Sequence, residues 1–185
     1  MYEGVDTIVL FEELAYEDIL PLQWRVSAAP VSDLARRSFV EHNLKLLQAC
    51  AAMEEHGQPE KLDERSPYHA DIIRLDMKVN LLLDLVGQIL SASQPRPEAM
   101  AVRFNALGAT WQHKGTPPVD GSSGVLELHL REFIVEPLRL SGNVAGVSSD
   151  GRVKLKFDNP GEAVADLIEK LAFRRHRRQV AGARK

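Results

Sequence analysis

The chain has 185 residues, of which 44% are hydrophobic and 26% charged, with a formal net charge of -3. That length suits one or two domains, and the composition is that of a chain able to bury a real core. No apolar run reaches the roughly 18 residues of a membrane span, and the acidic N-terminus is unlike a secretory leader, so the expected location is the cytoplasm.

Residues 1 to 30 mix extended and turn signals. Thr7 to Phe11 reads as a strand, and Pro21 interrupts Tyr16 to Leu22 where a helix cannot continue. Trp24 is an anchor expected to pack on the helices that follow. Ser32 opens a helix running to about His56, with Asp33 in its first turn. Its apolar positions are Val40, Leu44, Leu47 and Ala51, with Phe39, Leu46 and Met53 as a second stripe. A short polar connection, Gln58 to Arg65, suits two helices docked as a hairpin.

The second helix is the most strongly patterned stretch. Ser66 is its N-cap, Pro67 its first residue, and it runs to about Ala92, about 36 Å in length. Tyr68, Ile72, Leu75, Val79, Leu82, Val86 and Ile89 recur at spacings of three and four, which is a heptad seam. Leu83, Leu85 and Leu90 add apolar e and g positions, the pattern of a three- or four-helix bundle. The seam either faces the chain's own core or joins copies of the chain, and its length favours self-association, as a tetramer. Gly87 falls at an outer position, a local weak point. Residues 1–94 read as a helical oligomerisation region.

Past Pro97 the period changes to two. Val102, Phe104 and Ala106, then Leu126, Leu128 and Leu130, alternate with polar residues. Leu138 to Gly146 reads as a third strand, and Val153, Leu155 and Phe157 mark a fourth after an Asp150-Gly151 turn. Residues 115–124 form a Gly- and Pro-rich loop. Strands in succession without intervening helices imply an antiparallel sheet that closes on itself to hide its edges. Asn159 and Pro160 open a last helix whose Val164, Leu167, Ile168, Leu171 and Phe173 pack back on the barrel, with the polar RRHRR from Arg174 leaving the core. The fold class is therefore α+β, with residues 95–180 as a barrel plus closing helix and 181–185 as a basic tail.

A barrel with an early x-x-G turn, then PLRLSGNVAGV, KLKF and a helix ending FRRHRRQ, resembles a PilZ domain over about Ala99 to Gln179. With heptad helices ahead of the barrel it is similar to the atypical members of that family that oligomerise through helices. The resemblance implies a non-enzymatic receptor or adaptor in a bacterial cyclic di-GMP pathway acting on motility, biofilm or virulence. Cyclic di-GMP is then the possible ligand, no other cofactor is implied, and the partner is a signalling or pilus-related protein.

The family's two ligand motifs are degenerate here. Of its RxxxR segment, whose guanidiniums fork onto phosphates and guanine, the linker keeps only Arg96. Aligning the glycine of (D/N)xSxxG on Gly108 puts Arg103 at the acid position and Asn105 at the serine position. An RxxxR spacing recurs at Arg174 and Arg178, on one face of the last helix. Arg103, Asn105, Gly108, Arg174 and Arg178 are thus the candidate nucleotide residues, and an adaptor with a disabled site is the leading expectation, ahead of a receptor with altered geometry.

Other chemistry finds little support. His42, His56, His69, His113, His129 and His176 lack metal-ligand spacings, although His129 sits on an outward strand position. Gly121 to Gly124 is not a nucleophile elbow, and there is no phosphate-binding loop. Cys50 has no disulfide partner and reads as a core residue. The first 20 residues hold six acids and no Lys or Arg, and the last 15 hold six bases and no acid, so the two ends attract. Without interleaved aromatics, the basic end is a weak nucleic-acid footprint, and a nucleic-acid-binding regulator is the second alternative.

Overall fold

The computed structural model describes residues 14–56, 68–93, 95–132 and 134–182. These form strands β1 (Tyr16–Val26), β2 (Ala99–Phe104), β3 (Gly108–Gln112), β4 (Ser123–Leu128), β5 (Leu138–Val147) and β6 (Arg152–Phe157), with helices α1 (Asp33–His56), α2 (His69–Ser93) and α3 (Glu162–Gly182). The strands close into a barrel in the order β1-β2-β3-β6-β5-β4, every neighbour antiparallel. Closure removes both sheet edges, as the unbroken succession of strands requires. Tyr16, Leu22, Phe104, Trp111, Leu126, Leu128, Leu138 and Leu155 fill the interior.

Two strands were not expected. Tyr16–Val26, grouped by the sequence with the helices, is a strand of the barrel. Tyr16 to Pro21 pair with β2 and Leu22 to Val26 with β4. Pro21 lies at this changeover and its carbonyl accepts from the His129 N–H at 3.0 Å. A proline cannot donate into a ladder, so it belongs where pairing passes from one neighbour to the other. Trp24, further along β1, packs on the barrel with its ring 6.4 Å from that of Trp111, rather than on the helices. The second addition is β3, which pairs with β2 and β6. The expected strand at Thr7 to Phe11, the Ser66–Pro67 start and the 58–65 connection lie outside the described residues.

Helix α1 begins as expected, with Ser32 Oγ accepting from the Ala35 N–H at 3.3 Å. Its apolar face is turned differently. Leu46, Leu47 and Cys50 are buried in the core, with Val40 and Leu44 against it, and α1 packs on β5 and α3. Among the described residues it shares no substantial interface with α2, so the expected docking of the two helices on one another gives way to docking on the barrel.

At α3, Asn159 Oδ1 accepts from the Gly161 N–H at 2.9 Å, and Gly161 takes φ 87°, which turns the chain into the helix. Val164, Ile168, Leu171 and Ala172 are buried. Phe173, expected in that face, is 52% exposed instead, because one residue of helix past Ala172 rotates it about 100° away. The helix carries the basic run beyond Gln179 to Gly182.

Candidate functional site

The hairpin between β2 and β3 carries three of the candidate residues. Asn105 is buried, and its Oδ1 accepts from the N–H groups of Leu107 at 2.9 Å and Gly108 at 3.1 Å, while its own N–H donates to the Gly108 carbonyl at 3.0 Å. The side-chain oxygen is therefore spent on the turn, while the buried Nδ2 has no hydrogen-bond partner among the described residues. Among the described glycines, left-handed φ values occur at Gly115, Gly121, Gly151 and Gly161 and not at Gly108, so Gly108 is not there for its turn geometry.

Arg103 points outward from β2 into a groove of ≈ 550 Å³ whose walls include Glu17, Asp18, Arg152 and Arg175. Its Nε lies 3.1 Å from Glu17 Oε1, and Arg175 Nη2 lies 2.9 Å from Asp18 Oδ1. Arg175 also sits over the Tyr16 ring, 5.8 Å from its centroid. The Tyr16 hydroxyl donates to Asp18 Oδ2 at 3.1 Å, and burial, helped by the Asp18 charge, pushes its pKa up to about 12. Two of the three guanidiniums thus already hold carboxylates.

The groove does not assemble the expected set. Asn105, Gly108, Arg174 and Arg178 are not among the residues that line it. Arg174 turns to α1, its Nη1 3.5 Å from the Ala51 carbonyl, and Arg178 is exposed. Arg175, which the sequence reading passed over, takes their place. The signal was available: Val164, Ile168, Leu171 and Ala172 define the buried stripe, and position 175 continues it at i+3 and i+4.

The seam of α2 is the second candidate surface. All seven of its residues are exposed, from 42% at Ile72 to 68% at Tyr68 and Ile89. Ile73, Met77, Leu81 and Leu85 are exposed as well. Only toward the C-terminal half does the helix approach the barrel, where buried Gly87 and half-buried Leu83 line a gap of ≈ 910 Å³ with Ile19, Pro21 and Leu130. Leu83 thus faces the barrel rather than a bundle, and Gly87 is not at an outer position. An exposed apolar stripe of this length makes α2 a candidate interaction surface.

A closed antiparallel barrel, a helix packed across it and a long helix with an exposed apolar heptad face together define a barrel domain with a helical extension. Residues 47–185 match the family described as atypical PilZ domain, cyclic di-GMP receptor. The chain belongs to that family. Among solved structures it is similar, at 28% identity over 94% of each chain and a TM-score of 0.71, to a pathogenic protein from Xanthomonas campestris, described as a tetrameric PilZ domain self-assembled via an unusual helical bundle. A search of curated proteins gives no match. Among the described residues no helix is long and apolar enough to cross a membrane, and no group of three potential ligands could hold a metal.

Proposed function

We propose that this is a non-enzymatic, cytoplasmic PilZ-type protein of a bacterial cyclic di-GMP pathway that acts as an oligomeric adaptor. The observation that carries this reading is the exposed seam of α2, an apolar heptad face that the other described residues do not bury. The X. campestris relative is described as assembling through a helical bundle, and α2 is the element suited to do the same here, as a tetramer. Clustering barrels in this way raises avidity for a repeated partner without new contacts. Control of motility, biofilm or virulence is the output expected of such a protein.

The site geometry supports an adaptor over a nucleotide receptor. The Asn105 side-chain oxygen is committed to its own turn, and Glu17 and Asp18 hold Arg103 and Arg175. A phosphodiester would have to displace carboxylates from both arginines. The receptor reading keeps one observation in its favour, the convergence of Arg103, Arg152 and Arg175 on a single groove. Calorimetric titration with cyclic di-GMP, with light scattering on the same sample, separates the two. An intact tetramer that gives no heat is the expected result. Heat with a micromolar constant, abolished by joint substitution of Arg103 and Arg175, would make the protein a receptor with an unconventional site.

A further inference from the structure

On another part of the barrel wall, Gln23 of β1, Glu127 of β4 and Arg139 of β5 form one cross-strand row. Arg25, two residues along β1, joins it diagonally. Glu127 is shared: Arg25 Nε lies 2.7 Å from its Oε2 and Arg139 Nε 3.4 Å from its Oε1. Arg139 Nη2 also reaches Glu136 Oε2 at 2.9 Å. Arg96 approaches from the linker and donates to the Glu132 carbonyl. These groups, with His129, Val135 and three prolines, Pro95, Pro97 and Pro137, line a groove of ≈ 500 Å³.

Three features give the groove a preference. Three guanidiniums face two carboxylates, so the lining holds an unbalanced positive charge. Its base is rigid: the backbone of Arg139 is held on both sides by Asn43, which donates to its carbonyl at 2.6 Å and accepts from its N–H at 2.9 Å, and the Pro137 carbonyl lies 2.9 Å from His42 Nε2. The two carboxylates also differ. Glu127 is 12% exposed and doubly held, whereas Glu136 is 58% exposed and held by Arg139 alone among the ion pairs formed here. Glu136 is thus a displaceable stand-in for an incoming carboxylate.

We propose that this groove docks an acidic, extended segment of a partner protein, one carboxylate replacing Glu136 on Arg139 and a neighbouring one reaching Arg25. A carboxylate suits these arginines because they already hold carboxylates in this geometry. The row runs across three strands, which fits a linear chain better than a compact ligand. The proline rim offers no backbone N–H, so side-chain charge carries recognition. This site gives the adaptor reading its partner chemistry and rests on that reading.

The test uses the full chain and a fluorescein-labelled hexaglutamate peptide, followed by fluorescence anisotropy at low salt. Saturable binding is expected, weakened about fivefold by Arg25→Gln and strengthened about threefold by Glu136→Gln, in proportion to one exposed ion pair each. Both positions are exposed, so neither variant threatens the fold. An Arg177→Gln and Arg178→Gln double variant at the basic end of α3 should bind as the parent does. Absence of binding, or binding lost in the α3 variant and unmoved by Arg25→Gln, overturns the proposal. Failure of the adaptor reading shows instead as heat with cyclic di-GMP, so the two failures are distinguishable.

Discussion

Asn43 lies on a helix yet is bonded as a strand residue would be. The part of β5 from Leu138 to Ser141 has β4 on one side, and β6 reaches only from Gly142 onward. Buried Asn43 pairs with both backbone groups of Arg139 and so continues the ladder with a side chain. Replacing it by alanine leaves a buried N–H and C=O without partners, and Asn43→Ala is expected to cost about 2 to 4 kcal/mol, read as a lower urea midpoint. A loss near zero would show that water satisfies the edge. His129 makes a second, pH-dependent case. Burial, then the Arg96 guanidinium, lowers its pKa below the ordinary value. Between that lowered value and the unfolded value of about 6.5, the unfolded chain binds more protons than the folded one, so stability falls as pH falls through this window and is level above it. His129→Gln should flatten that slope. An identical pH dependence of the urea midpoint in both proteins would assign the slope to another group.

Strand contacts, and not turn geometry, explain why two glycines are needed. A Cβ on Gly142 would run into the Lys156 carbonyl, and one on Gly124 into the Arg25 carbonyl and the Trp24 ring. Gly142→Ala must separate β5 from β6 where backbone cannot yield, and a loss of about 2 kcal/mol or more is expected. Gly121→Ala meets open space but keeps a φ of 77°, so its loss should stay near 1 kcal/mol. Thermal melts that rank them the other way would contradict the close approach of β5 and β6. The same elements show what was legible beforehand. β4, β5 and β6 carry large apolar residues at alternate positions, and their burial follows that alternation in all but Lys154. β3 has one large apolar residue, Trp111, in GATWQ, too little to define a period. β1 was hidden by Pro21, read as a helix stop when its role is to pass pairing from β2 to β4. At the groove, the basic run was visible, but helix phase and not spacing within RRHRR selects Arg175. Glu17 and Asp18 were unreadable as its partners because β1 itself had not been placed in the barrel.

At the scale of the molecule, the barrel, α1 and α3 share one core, and α2 contributes little to it. This separation makes assembly and folding independently testable. Seven seam side chains, each worth about 1.5 kcal/mol or more on full burial and a little over half exposed on average, offer roughly 6 kcal/mol per helix, enough to meet an association cost of about 4 to 15 kcal/mol when several helices combine. A single partner would cover only one side of α2, and Leu85, flanking the a and d positions, stays wet unless a second neighbour meets it. In the proposed tetramer, four helices around one axis supply that neighbour. Val79→Glu with Leu82→Glu places two carboxylates per chain in the middle of the seam, where desolvation costs several kcal/mol for each ion. The expected outcome is a monomer by light scattering with the near-ultraviolet dichroism of Trp24 and Trp111 unchanged, because both rings belong to the barrel. A variant that remains tetrameric would move the interface to another surface. One that dissociates and also loses its dichroism would show that the barrel depends on assembly for its fold.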